Sequence, residues 1–281
     1  MWTLFFLVAT GLCSFLIFTS TSSYLQYDVV TKIQLFKESP VEFPVVTLCN
    51  NNIFAKNPSY TIINEVIRSI HNQTFNEYHE SARSKPFFYA DMQNRYAQSS
   101  SLFAMFNPQY ADGDRKELGY FIDEMLIGCV YNQQPCSSRD FSWYFDVEGG
   151  NCFKFNSGLD SSGQKAAIKK AELAGSYNGL ILQLYVGESD NINSLSRSSG
   201  MRLMVNNRTI KNRFAQGISI PTGLSTEVKL RRTFCSKLSG PFSDCQDLAG
   251  YDSVLYRAIL SMNLTYRQDD CFDLVLAEDE Y

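Results

Sequence analysis

From Trp2 to Phe18 the run WTLFFLVATGLCSFLIF holds no charge and is interrupted only by small or weakly polar side chains. Such a segment enters a membrane. Extended to Tyr24 it reaches about 23 residues, enough for a helix to cross a hydrocarbon core of roughly 30 Å, with Tyr24 and Tyr27 as interfacial aromatics. A cleaved signal peptide is the competing reading, with Ser20 and Ser22 as small residues for a peptidase. The basic start of such a peptide is missing, because the first basic residue is Lys32. Almost nothing precedes the run, so Lys and Arg asymmetry gives no orientation. The triplets Asn72-Gln73-Thr74, Asn207-Arg208-Thr209 and Asn263-Leu264-Thr265 do, since they are usable glycan acceptors only if the body lies outside the cell.

The body changes period along its length. Ile62, Ile63, Val66, Ile67 and Ile70 mark one face of a helix between Asn57 and Ile70. Asp114 and Glu117 form a capping box for a second helix, in which Leu118, Phe121, Ile122, Met125 and Leu126 recur at helical spacing. After Gly149 the pattern becomes alternating. Leu180, Leu182, Leu184 and Val186 alternate with Ile181, Gln183 and Tyr185, and Met201, Leu203 and Val205 alternate with Arg202 and Met204. Val228 and Leu230 alternate with Glu227, Lys229 and Arg231, so three strands with one buried face are predicted. Helices inserted between extended segments give an α+β body with helices segregated from a sheet. Ser99 to Ser101 and Ser194 to Ser199 read as loops, and no repeat period is visible.

Composition narrows the function. With 25 basic against 29 acidic residues, the chain lacks the clustered positive charge that displaces counterions, so nucleic acid is not a partner. Eight cysteines scattered through a polar body point to an oxidising compartment. His71 and His79, the only histidines, stand in no metalloprotease or paired-cysteine zinc spacing. Neither a phosphate loop, a dinucleotide fingerprint nor a nucleophile elbow is present, so no catalytic, cofactor or metal site is expected. The acidic neighbours Asp123 with Glu124, Asp269 with Asp270, and Glu278 to Glu280 read as solvated charge.

Two segments do have a family look. FPVVTLCNNN, Phe43 to Asn52, follows YLQYDVVTKI, Tyr24 to Ile33, and about a hundred residues later comes GNCFKFNSG, Gly150 to Gly158. Together they resemble the degenerin/epithelial sodium channel family, in its invertebrate peptide-gated branch. GLILQLYVG, Gly179 to Gly187, and GMRLMVNN, Gly200 to Asn207, look like that family's central palm and ball strands. Pro221 to Cys245 looks like its Gly-x-x-Thr strand and the approach to the thumb.

The resemblance implies a retained first membrane helix over 1–23, a palm entry strand over 24–48 and a helical finger over 49–152. A palm and ball β-region over 153–270 and the start of a thumb over 271–281 would follow, with the rest of the thumb and the second membrane helix lacking, as in a fragment or a truncated subunit. It pairs Cys49 with Cys152 and Cys129 with Cys136, leaving Cys235, Cys245 and Cys271 without partners, and puts Cys13 in the span. Asn72, Asn207 and Asn263 become extracellular glycan sites. The implied function is a subunit of a trimeric, ligand-gated, amiloride-sensitive-type channel in the plasma membrane. It would pass sodium ions, assemble as a homo- or hetero-trimer among lipid, and respond to an extracellular peptide. No ligand-binding residue is assigned. The alternative is a tethered or secreted ectodomain that binds a peptide or partner subunit without conducting, its aromatic stretch Phe87, Phe88, Tyr89, Tyr96, Phe103 and Phe106 serving as a dock. Acid-sensing relatives have histidines where this chain has Asp28 and Val29, so gating by protons at that point is not expected.

Overall fold

The computed structural model describes residues 1–54, 58–84, 86, 112–146, 149–175, 177–187, 199–213, 216–245 and 253–270. The aromatic stretch from Phe87 to Phe106, most of the second Ser-rich loop, Cys271 and the acidic tail lie outside them, as do the side chains of His71 and His79.

Helix α1, Trp2–Leu25, is apolar on all sides and buries no residue. At 1.5 Å per residue its 24 residues run about 36 Å, enough to span a bilayer. Two of its hydroxyls are satisfied within the helix. The Thr10 hydroxyl donates to the Phe6 carbonyl at 2.8 Å and Thr19 to the Phe15 carbonyl at 3.0 Å, which removes the desolvation cost of a bare hydroxyl in lipid.

Ten strands follow. β1, Val41–Glu42, pairs with β7, Lys170–Ala171. β3, Leu126–Tyr131, lies between β4, Gln134–Pro135, and β8, Leu180–Leu184. The third sheet has the order β10-β9-β2-β6-β5, from Ile218–Ile220, Met201–Asn206, Val45–Asn50, Gly150–Phe155 and Phe141–Asp146. All its pairings are antiparallel, so directly paired residues share a face. One face gathers Val46, Leu48, Phe153, Phe155, Phe141, Met201 and Leu203, all buried. The other carries Thr47, Cys49, Cys152, Lys154, Tyr144 and Met204. The alternation read in Met201–Val205 is therefore real, yet Met204 is buried as well, because this central strand is covered on both sides. β8 matches its alternation more simply, with Ile181 and Gln183 exposed.

Helices α2, Pro58–His71, and α3, Phe75–Arg83, form a hairpin. Ile67, Phe75 and Tyr78 pack there with Ile53, Phe54 and Leu118, while the side chains of Ile62, Ile63, Val66 and Ile70 lie outside the described residues. Thr74 opens α3 with a reciprocal cap: its N–H donates to Glu77 at 2.7 Å, and the Glu77 N–H donates to its hydroxyl at 3.4 Å.

Two sequence expectations fail. The helix expected from Asp114 to Leu126 is two pieces, α4, Asp112–Leu118, and α5, Ile122–Met125, and Leu126 already belongs to β3. Asp114 lies inside α4 rather than capping it. The buried face was read correctly, since Leu118, Ile122 and Met125 are buried. Its continuity was not. A Cβ on Gly119 would stand 2.8 Å from Asn151 Nδ2 and 3.0 Å from the Ile53 carbonyl, so the chain presses against its neighbours there. Phe121 is extended, and its N–H donates to Glu124 at 2.9 Å to start α5. The strand expected at Val228 and Leu230 is also absent: residues 225–239 have no regular structure, and Leu230 is exposed. Alternation forms a strand only where a partner strand satisfies its backbone, and among the described residues none pairs with this one.

The chain divides into two units, Met1–Lys37 with Val228–Met262 and Tyr266–Tyr281, and Glu38–Glu227 with Asn263–Thr265. All ten strands among the described residues belong to the second. The first holds α1 and α6, Val254–Ser261, whose N-cap Ser253 accepts from the Tyr256 N–H at 3.1 Å.

Candidate functional site

The two segments that resembled a known family are neighbouring strands at the centre of the largest sheet. Val46, Thr47, Leu48 and Cys49 stand opposite Phe155, Lys154, Phe153 and Cys152. Cys49 and Cys152 are bridged with Cα atoms 4.4 Å apart, both fully buried. Cys129 and Cys136 are bridged across the β3–β4 turn, seven residues apart. Among the described residues Cys13, Cys235 and Cys245 are free and exposed.

Nearly every distinctive letter of the two segments has a physical task. Phe43 packs edge-on against Tyr131 at 4.9 Å, holding the three-stranded sheet to the larger one. Asn50 donates to the Val186 carbonyl at 3.0 Å and accepts from the Asn52 N–H at 2.9 Å, fixing the exit of β2. Gly150 has φ +65°, and a Cβ there would meet Ile53 Cγ2 at 2.5 Å, so only glycine fits. Asn151 accepts from the Trp143 indole at 3.0 Å and donates to the Lys116 carbonyl at 2.7 Å. Asn156, at φ 62°, closes β6: it donates to the Phe43 carbonyl at 2.5 Å and accepts from the Lys169 N–H at 2.7 Å. Sequence reading singled out the cysteines and passed over these asparagines. Their signal was their place at strand ends, where a short amide replaces missing ladder bonds.

The disulfide-bearing face is polar. Asn212 donates to the Thr47 hydroxyl at 2.9 Å and lies 3.4 Å from the Tyr144 hydroxyl, while Asn206 donates to the Asn212 carbonyl oxygen at 2.9 Å. Lys154 Nζ sits 4.0 Å above the Tyr144 ring. Burial pushes the Lys154 ammonium below the usual lysine range, against the pull of the Asp146 carboxylate. Burial and then the same carboxylate push the Tyr144 phenol up, with the Asn212 bond opposing. On the other side of the sheet the Asp140 carboxyl is held low: burial alone would raise it, but the Lys169 ammonium at 2.8 Å and the Ser137 N–H outweigh that.

At the end of α1, Tyr27 lies 6.2 Å from Tyr24 and edge-on to Phe242 at 5.6 Å between ring centroids. The end of the apolar helix is thereby tied to a segment more than two hundred residues away in sequence. Asn72, Asn207 and Asn263 are all exposed. Among the described residues no three of His, Cys, Asp and Glu converge as metal ligands.

An apolar helix long enough to cross a membrane, followed by an α+β, disulfide-bridged body, defines the class of a β-rich protein with one candidate membrane span. Residues 1–279 match the family model for the amiloride-sensitive sodium channel, and the chain belongs to that family. It is similar to the epithelial sodium channel subunit gamma of Neoceratodus forsteri, 34% identical over 49% of this chain and 20% of that protein. The FMRFamide-activated amiloride-sensitive sodium channel of Cornu aspersum is 28% identical over 79% of this chain and 34% of that protein. The epithelial sodium channel subunit beta of Rattus norvegicus is 29% identical over 62% of this chain and 26% of that protein. The chain thus spans between about a fifth and about a third of the length of these relatives.

Proposed function

We propose that this chain is part of a subunit of a trimeric, ligand-gated sodium channel in the plasma membrane, with its body outside the cell. The observation that supports this most is the pairing of the two family segments, β2 and β6, in one sheet behind a membrane-length helix. The division into a membrane helix over 1–23, an entry strand over 24–48, a finger over 49–152, a palm and ball region over 153–270 and a thumb start at 271–281 follows the family pattern. The ligand is a peptide, a reading supported by the similarity to the FMRFamide-activated channel along 79% of this chain. No enzymatic step is part of this function.

A ligand gates by binding one state of the body more tightly than the other, and the bias must reach the helix through a physical contact. Tyr27 and Phe242 provide such a contact within one unit. The test joins residues 1–281 to the remaining length of a relative and records sodium current on application of amidated peptides. Peptide-evoked, amiloride-blocked current is the expected result. A chimera that reaches the surface and binds peptide without current would favour a non-conducting, peptide-binding ectodomain.

A further inference from the structure

Two acceptor triplets meet in the folded body. Asn207-Arg208-Thr209 leaves the end of β9, and Asn263-Leu264-Thr265 follows α6. The Thr265 N–H donates to the Thr209 carbonyl at 2.7 Å, and the two threonine hydroxyls are hydrogen-bonded at 2.8 Å across a separation of 56 residues. Arg208 pairs with Glu42 at 2.5 Å, so the first triplet is held against the body at two successive residues. Both asparagines, by contrast, are exposed.

In N-glycan addition the asparagine amide nitrogen bonds to the anomeric carbon of an oligosaccharide. The anomeric C–O bond to its lipid diphosphate breaks, and the amide proton passes to a base of the transferase. The triplet must be accessible, with its threonine hydroxyl presented to that enzyme. A hydroxyl engaged with a second threonine, on a backbone that is also hydrogen-bonded, is not presented. The chain emerges N-terminus first, so Asn207 is offered before residues 263–265 arrive in the same compartment. Asn263 is offered when Thr209 is already waiting.

We propose that Asn207 and Asn263 form one coupled N-glycosylation locus, in which addition to Asn263 competes with closure of the Thr209–Thr265 contact. This rests on the reading that the body is exported. Asn207 is modified first and freely, and Asn263 is modified only in the fraction of chains not yet closed.

The experiment expresses the full chain in a eukaryotic secretory pathway and measures occupancy by enzymatic deglycosylation in heavy-oxygen water and peptide mass spectrometry. Only chains in which Cys49 is bridged to Cys152 are counted, which excludes misfolded material. Leu224→Asn, which turns the exposed Leu224-Ser225-Thr226 segment into an acceptor, reports topology independently of the locus. Nearly full occupancy at Asn207 and partial occupancy at Asn263 are expected. Thr209→Val, which abolishes the hydroxyl contact, raises the ratio of modified to bare Asn263 about fivefold, the size of one net hydrogen bond. Asn207→Gln, which removes the first glycan but keeps the Thr209 hydroxyl, leaves that ratio unchanged. Equal Asn263 occupancy in wild type and Thr209→Val overturns the proposal, and a rise in Asn207→Gln overturns it in favour of crowding between glycans. No glycan at Asn72, Asn207, Asn263 or the Leu224→Asn site overturns the exported topology itself.

Discussion

Breaking the Cys49–Cys152 bridge should be the most damaging two-atom change in the body. The bridge joins residues 103 apart, whereas Cys129–Cys136 joins residues seven apart. In the chain-entropy model the denatured ensemble is constrained by about 4.7 kcal/mol in the first case and about 2.4 kcal/mol in the second. Both cysteines of the long bridge are fully buried beside Met204, with Tyr144 packed against them, so an alanine pair also leaves a small void. The short bridge is already backed by ladder bonds of the β3–β4 turn, including Cys136 N–H to the Cys129 carbonyl at 3.0 Å. The assay compares urea midpoints of detergent-purified wild type with the Cys49→Ala/Cys152→Ala and Cys129→Ala/Cys136→Ala pairs. The long-loop pair should lose about 2 kcal/mol more than the short-loop pair. Equal losses, or a larger loss from the short loop, would refute loop closure as the source of the stabilisation.

Other expectations follow from single contacts. Phe242→Ala removes the edge-on partner of Tyr27, worth about 1 kcal/mol beyond its burial, and should shift peptide dose–response curves of a completed channel while leaving peptide binding nearly unchanged; equal loss of both would contradict a coupling role. Lys154 has its folded pKa below its unfolded value, so its charged form opposes folding at neutral pH, and stability should rise with pH between the depressed pKa and about 10.4. Urea midpoints should show that rise in wild type and not in Lys154→Met. Asp140 is the reverse case: its stabilisation is present above the unfolded carboxylate pKa and is lost as pH falls through the lower folded value. Asp140→Asn should cost about 1 kcal/mol at pH 7 and flatten the acid limb of the stability curve.

The legible parts of this protein were those whose physics is local. An uncharged run of membrane length is a helix in lipid whatever follows it, because only internal hydrogen bonding satisfies its backbone there. Apolar residues at alternating or helical spacing marked Met201–Asn206, Leu180–Leu184 and Pro58–His71, since each period places one face inward. Phe43–Asn52 and Gly150–Gly158 stood out as segments, yet why Asn50, Asn151 and Asn156 occupy them appeared only when their carbonyl and amide partners, 8 to 136 residues away, were in place.

Tertiary contact decided the rest. Gly119 breaks a helically patterned run because Asn151 and the Ile53 carbonyl press against it, and neither neighbour is visible from the run itself. Glu227–Arg231 alternates like a strand and is none, because strand formation needs a partner that spacing alone does not supply. Nothing in the sequence signals that the Lys154 ammonium lies over the Tyr144 ring beside the buried disulfide, half-withdrawn from water, because that neighbour comes from another strand. Hydrophobic spacing is a property of neighbours in the chain; backbone partners and desolvation are properties of neighbours in space, so the first was written in the sequence and the second emerged with the fold.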